Sequence, residues 1–96
     1  MKTTPHLRAI KQAIRINMAA NKVTDAYLFG SYARGEAQAD SDVDIAVDMQ
    51  ADADLFDLIR FKQDVEKLLA VQVDVTTRRS LAPRLRPYVE ADMISI

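Results

Sequence analysis

The sequence contains no cysteine, only two glycines and no long run of apolar residues. Without cysteine, neither a disulfide nor a thiolate metal site can form. The N-terminal stretch MKTTPHLRAIKQAIRI lacks the apolar run of a signal peptide or a membrane span, so we expect a cytoplasmic protein with no membrane partner. An excess of basic charge is also missing. The formal net charge is −1, which argues against direct binding of nucleic acid through its phosphates.

The composition that is present is typical of a folded chain. Of the 96 residues, 49% are hydrophobic and 28% are charged, which argues against disorder. There is no internal repeat, low-complexity tract or linker. We therefore expect a single domain over residues 1–96, without a separate substrate-binding domain.

Three segments are predicted to be helical. The first covers residues 5–20, with Thr4 as the N-cap and Pro5 at the first helical position. The second begins after Asp54 and runs for about four turns. The third follows Ser80, although Pro87 should kink or shorten it. The apolar positions that define the first two helices are Leu7, Ile10, Ile14, Met18, Leu55, Leu58, Ile59, Val65, Leu68 and Leu69, and of these we expect Leu58, Ile59, Leu68 and Leu69 in the core.

Four short segments are predicted to be strands. An apolar run over 26–29 stops at Gly30, after a polar break over 21–25. Residues 43–48 and 71–76 alternate between apolar and polar side chains, which is the period of a strand with one buried face. The last residues, 92–96, are predicted to end as an edge strand. The order indicates an α/β (α+β) domain in which helices flank a small mixed sheet.

Three aspartates are the first candidates for a functional site. Asp42 and Asp44 stand two residues apart at the start of a strand, so their side chains leave the same face. Asp74 occupies a polar position in another strand. If the two strands are neighbours, the three carboxylates converge, and such like charges are unfavourable unless a cation lies among them. Oxygen ligands without His or Cys favour Mg²⁺, with Mn²⁺ as the alternative.

A glycine-rich turn precedes these aspartates. Gly30 ends a strand and permits a sharp turn, after which Ser31 to Gly35 is predicted to form a short helix. Backbone N–H groups and the Ser31 hydroxyl at such a turn are suited to binding phosphate, and Arg34 adds a cation. A phosphate site beside a carboxylate cluster is what phosphoryl or nucleotidyl transfer requires.

The motif Gly30-Ser31, with Asp42-x-Asp44 downstream and a later lone Asp74, resembles the polymerase-β-like nucleotidyltransferase superfamily. Within it, the short chain and the run Gly-Ser-x-Ala-Arg-Gly…Ser-Asp-x-Asp are most similar to the minimal nucleotidyltransferases (MNT). The resemblance covers essentially the whole chain. It depends on all of these elements occurring together, because a Gly-Ser pair or an Asp-x-Asp alone is a weak signal.

The resemblance implies a function and a partner. MNT proteins are commonly antitoxins paired with a HEPN-domain RNase toxin, and they are understood to transfer AMP from ATP to a tyrosine of the toxin. By this resemblance Gly30 and Ser31 bind the triphosphate, and Asp42 and Asp44 ligate two Mg²⁺ ions. Asp74 either completes the second metal site or accepts the proton of the acceptor hydroxyl.

Ordinary structural interpretations of the same residues remain open at this point. Aspartates are mostly solvent-facing, and Arg34 is suited to pairing with Glu36 or Asp40. Arg78 and Arg79 follow the Asp74 strand, either as contacts to nucleotide or partner or as a charged turn. The remaining residues that we interpret as caps, turns or surface positions are Asp40, Asp48, Asp52, Asp54 and His6.

Two other functions are also compatible with the sequence. One is an antitoxin that neutralises its toxin by docking alone, with a vestigial site. The other is a nucleotidyltransferase that acts on a small molecule such as an aminoglycoside. The intact carboxylate set argues against the first. The short chain argues against the second, because an acceptor pocket for a small molecule usually needs a further domain or a dimer.

Overall fold

Helices and strands alternate through most of the chain in the computed structural model, which describes residues 4–96. In chain order they are α1 (Leu7–Met18), β1 (Val23–Phe29), α2 (Ser31–Arg34), β2 (Val43–Met49), α3 (Leu55–Leu69), β3 (Val73–Thr77), α4 (Arg86–Asp92) and β4 (Ile94–Ser95). Short 3-10 turns at Ala19–Asn21 and Arg78–Ser80 follow α1 and β3.

The four strands form one mixed sheet in the order β3-β2-β1-β4. β1 pairs antiparallel with both β2 and β4, whereas β2 and β3 are parallel. A parallel pair needs a crossover between its strands, and α3 supplies it. The expected α+β architecture with a small mixed sheet is therefore confirmed.

One face of the sheet carries the hydrophobic core. The helices α1 and α3 pack against each other, and both contribute to the same core as the sheet. On β2, Val43, Ile45 and Val47 are fully buried. The fully buried residues that meet them from the helices and from β1 are Ile10, Ile14, Phe61, Val65 and Leu28.

The opposite face of the sheet is more open. Side chains alternate along a strand, so Asp44 and Asp48 of β2 point away from the core, as do Tyr27 and Phe29 of β1. All four are only partly buried. α4 contacts β1. No helix within residues 4–96 has the length and apolarity needed to cross a membrane.

The start of α3 is explained by its first residues. The Asp54 side chain accepts a hydrogen bond from the Asp57 backbone N–H at 3.0 Å, and the Asp57 carboxylate accepts one from the Asp54 backbone N–H at 3.0 Å. This reciprocal capping box satisfies two backbone donors that the helix leaves free. Arg60 donates to Asp57 as well, and these hydrogen bonds hold the pKa of the Asp57 carboxyl below its usual value. The prediction that a helix begins after Asp54 is confirmed.

Several boundaries differ from the predictions; β3, for example, spans Val73–Thr77 and not residues 71–76. α1 begins at Leu7 with extended His6 as its N-cap, not after Thr4. β1 starts at Val23, because a bulge between Val23 and Asp25 lets the polar residues continue the pairing with β2. The last helix starts at Arg86, six positions after Ser80, with a proline in its first turn. Pro87 therefore begins this helix, as its fixed φ favours, and does not kink it.

The residues that α3 buries also differ in part from those predicted. Ile59 and Leu68 were expected in the core but are 41% and 56% exposed. Leu58 and Leu69 are partly buried against the core, as expected. Phe61, which the sequence pattern did not single out, is fully buried. The predicted C-terminal strand is confirmed over Ile94–Ser95, where it pairs with Tyr27 and Leu28.

Candidate active site

The turn after β1 brings the backbone against a carboxylate. Gly30 adopts φ 77° and ψ −155°, a conformation that side chains disfavour. A Cβ placed on Gly30 would overlap the Asp44 carboxylate oxygen Oδ2. Glycine is thus required here for two reasons, the backbone angle and the close approach of Asp44 from β2.

The short helix α2 follows at once, as predicted. It spans Ser31–Arg34 and ends at Gly35, whose left-handed φ of 73° lets its N–H bond the carbonyls of Ser31 and Tyr32. Ser31 is partly buried directly after the Gly30 turn. The motif therefore forms a compact loop and a single helical turn beside the N-terminal end of β2.

Strand pairing brings two of the three predicted aspartates together. β2 and β3 are adjacent and parallel, and Asp44 is the register partner of Asp74. Strands lie about 4.8 Å apart, so the two carboxylates leave neighbouring positions. Asp42 lies just before β2 and is exposed, as is Asp74, whereas Asp44 is partly buried. The condition on which their convergence depended, that these two strands are neighbours, is met.

The electrostatics of Asp44 reflect this crowding. Burial, together with the charges of Asp74 and Asp42, raises the pKa of the Asp44 carboxyl to about 6, against the opposing charge of Arg34. Both desolvation and like charges disfavour the ionised form. The cluster is therefore short of positive charge when all three carboxylates ionise.

Arg34 has two acidic partners. Its Nη1 lies 2.6 Å from Asp92 Oδ2 on α4, and its Nε lies 3.2 Å from Glu36 Oε2. These hydrogen bonds raise the pKa of the Arg34 guanidinium. The pairing with Glu36 agrees with the ordinary interpretation of Arg34. Asp92, which ties α2 to α4, was not identified from the sequence.

Tyr32, which lies within the motif, is a second residue that was not identified from the sequence. It is 8% exposed, and its hydroxyl has no hydrogen-bond partner within the described chain. Burial raises the pKa of this phenol, and the nearby charge of Asp42 raises it further. The only available signal was an aromatic residue between Ser31 and Ala33 in an otherwise small-residue turn.

The residues with ordinary interpretations mostly have structural roles. Arg78 donates to Asp48 from two nitrogens, at 2.9 and 2.5 Å, and its guanidinium carbon lies 4.6 Å from the centre of the Tyr27 ring. This pairing raises the pKa of Arg78. Lys22 pairs with Asp52 at 3.2 Å. Arg79, Asp40 and His6 are exposed.

The chemistry of the donors suits a hard divalent cation. The facing carboxylates supply oxygen atoms only, which Mg²⁺ and Mn²⁺ prefer. The pKa of Asp44 is raised, and Gly30 packs closely against its carboxylate. Both features are expected at a site whose negative charge is not compensated. Within residues 4–96 no group of three or more His, Cys, Asp or Glu side chains is placed to hold a metal ion.

Residues 10–96 match the nucleotidyltransferase domain family. A protein of Methanocaldococcus jannaschii named as a proposed protein adenylyltransferase is 34% identical over 91 residues, which cover 95% of this chain and 98% of the relative. The protein adenylyltransferase MntA of Thermococcus cleftensis is 33% identical over 90 residues, covering 94% and 88%.

Solved structures show the same fold. One described as a proposed minimal nucleotidyltransferase superposes with a TM-score of 0.83 at 41% identity, covering 94% of this chain and 92% of that one. A toxin–antitoxin structure with AMP-PNP gives 0.75 at 29% identity, covering 88% and 70%. A structure of a tri-AMPylated HEPN toxin of Shewanella oneidensis in complex with its MNT antitoxin gives 0.69 at 26% identity, covering 92% and 69%.

Proposed function

The chain belongs to the nucleotidyltransferase domain family, and on that premise we propose that it transfers AMP from ATP to a tyrosine of a HEPN-domain RNase toxin. In this role it acts as the antitoxin of the pair. The observation that carries the proposal is the packing of Asp44 between the Gly30 backbone and its register neighbour Asp74. That arrangement places a glycine-serine turn and a carboxylate cluster at one end of the sheet.

Each residue of the cluster has a role in the proposed reaction. Gly30 and Ser31 bind the triphosphate through backbone N–H groups and the serine hydroxyl. Arg34 lies beside them and would have to exchange its pairing with Asp92 or Glu36 for the phosphates. Asp42 and Asp44, with Asp74, would hold Mg²⁺, as two ions, or Mn²⁺. Such ions neutralise the triphosphate charge and favour ionisation of the attacking hydroxyl.

The chemical step is an in-line displacement at the α-phosphorus of ATP. The tyrosine oxygen forms a bond to that phosphorus, the bond to the pyrophosphate oxygen breaks, and pyrophosphate leaves. Where Asp74 is not itself a metal ligand, it accepts the tyrosine proton; it is exposed on the neighbouring strand and so open to an acceptor. The protein's contribution is to hold the hydroxyl and the phosphorus in line.

The relatives support the choice of donor and acceptor. The toxin–antitoxin structure with AMP-PNP contains an ATP analogue, and the Shewanella oneidensis HEPN toxin carries AMP in its complex with an MNT antitoxin. The family relatives are named protein adenylyltransferases, which favours a protein acceptor over an aminoglycoside.

A transfer experiment tests this function. The chain is mixed with its HEPN-domain toxin, Mg²⁺ and ATP labelled at the α-phosphate. We expect label on a toxin tyrosine, found by peptide mass mapping, together with loss of RNase activity. Ser31→Ala should slow labelling, since it weakens placement of the triphosphate. Neutralisation of the toxin without any label would instead favour the docking antitoxin.

A further inference from the structure

A basic segment follows β3. Four arginines occupy nine positions, and no acidic residue occurs between Val75 and Val89. The chain as a whole has a net charge of −1, so this segment is a local exception. We define the basic segment as residues 78–88, and its arginines are Arg78, Arg79, Arg84 and Arg86.

Only one of these arginines is neutralised by an acidic partner. Arg78 pairs with Asp48 and stacks on Tyr27, which anchors the start of the segment to the sheet. The other three, Arg79, Arg84 and Arg86, are exposed, and none of the ion pairs within residues 4–96 includes them. Their charge is therefore available to a partner.

Two large hydrophobic side chains of the same segment are exposed to solvent. Tyr88 is 75% exposed and Leu85 is 47% exposed. Tyrosine and arginine are the residue types that protein interfaces favour, and they often dominate the binding energy. An exposed tyrosine and leucine among unpaired arginines are thus the composition of a docking surface for a protein.

The start of the segment, at Arg78, lies on the same sheet face as the carboxylate site. Asp48, which holds Arg78, is four residues along β2 from Asp44, a distance of about 13 Å along an extended strand. Even residue spacing puts Asp44 and Asp48 on one face. A protein whose hydroxyl reaches Asp44 across this face is therefore close enough to contact the start of the basic segment as well.

We propose that the basic segment docks an acidic surface of the acceptor protein and so positions its hydroxyl at the carboxylate site. The identity of that acceptor, the HEPN-domain toxin, rests on the proposed function above. A protein fits better than RNA because the adjoining face carries Asp25, Asp42 and Asp74, all exposed, which repel a continuous phosphate backbone. An acidic patch on a folded protein has a limited extent, so it can contact the basic segment without lying over these three aspartates.

Charge reversal with a matched control tests the proposal. The variant is Arg79→Glu with Arg84→Glu, and the control is Arg8→Glu with Arg15→Glu on α1, where both side chains are also exposed. Both doubles change the net charge equally. Toxin binding is measured by titration at about 0.05 and 0.5 M salt, and melting curves with ATP and Mg²⁺ report folding and nucleotide binding.

We expect the segment variant to bind the toxin about 10- to 100-fold more weakly at low salt, with the difference shrinking at high salt. Nucleotide binding should be unchanged, and the control should bind the toxin like the wild type. Equal binding by the segment variant, equal weakening by the control, or no toxin binding by the wild type would each overturn the proposal. So would segment-dependent binding of an oligoadenylate RNA without any effect on the toxin.

The outcomes also separate this proposal from the proposed function. If the toxin binds through the segment but gains no AMP, the docking surface stands and the transfer activity fails. If the toxin gains AMP at the same rate with both doubles, the transfer activity stands and the docking surface fails.

Discussion

Neutralising Asp44 should stabilise the metal-free protein. Burial and the charges of Asp74 and Asp42 raise the pKa of this carboxyl from 3.8 to about 6. In the unfolded chain the group returns to about 3.9, so the folded state binds more protons between these values. Stability therefore falls as the pH rises from about 4 through 6, because ionisation is then easier in the unfolded chain.

The size of this effect follows from the pKa shift. Two units correspond to about 3 kcal/mol as an upper bound. Because Asp44 is only partly buried, screening by solvent reduces the expected destabilisation to about 1–2 kcal/mol. Asp44→Asn removes the charge and keeps the shape of the side chain. For a domain of this size, its melting temperature at pH 8 should rise by about 4–16 °C over the wild type.

Melting curves in EDTA and low salt at pH 4 and pH 8 provide the assay. Wild type and Asp44→Asn should have the same melting temperature at pH 4, and Asp44→Asn should have the higher one at pH 8. The gap should shrink or reverse with Mg²⁺ and ATP, which stabilise only the protein that binds them. Asp40→Asn, in an exposed turn, is the control and should change stability by less than about 0.5 kcal/mol. If wild type and Asp44→Asn have the same melting temperature at pH 8 in EDTA, the three carboxylates do not form a cluster of repelling charges.

Three further predictions concern the glycine turn, the α3 cap and the pH profile. Gly30→Ala should abolish transfer and lower the free energy of unfolding by about 1–3 kcal/mol, because the added Cβ overlaps Asp44 and the backbone has a left-handed φ. A transfer assay measures the first effect and denaturation in urea the second. Asp54→Ala should lower the free energy of unfolding by about 1 kcal/mol in urea through loss of the cap, whereas Asp40→Ala should not. At limiting Mg²⁺, the transfer rate should decline as the pH falls below about 6, where Asp44 becomes protonated. Saturating Mg²⁺ should move this decline to lower pH. A pH dependence that is the same at both Mg²⁺ concentrations would contradict this prediction.

The parts of the fold predicted best are those with strong local signals. Asp54 caps a helix, and β2 alternates over Val43 to Val47, as short-range chemistry indicates. Gly30 before Ser31 predicted a turn, and the structure has one at φ 77°. Each of these features depends on backbone angles or hydrogen bonds within a few residues, so one sequence is enough to infer it.

The parts predicted less well depend on distant contacts. α3 has apolar residues around more than half of its circumference, so periodicity did not decide between Phe61, which is buried, and Ile59, which is exposed. The Arg34–Asp92 pair joins positions 58 apart in sequence and needs the placement of α4. The adjacency of Asp44 and Asp74 was inferred only on the condition that their strands pair, and the register of β2 and β3 meets it.

Transfer of AMP to the toxin should require both Asp42 and Asp44. The most direct measurement is the intact mass of the toxin after incubation with ATP, Mg²⁺ and each of four proteins: wild type, Asp42→Asn, Asp44→Asn and the control Asp40→Asn. We expect a gain of one or more AMP units with wild type and Asp40→Asn, and none with the other two, although both remain folded by circular dichroism. An AMP gain at the wild-type rate with Asp42→Asn or Asp44→Asn would contradict it.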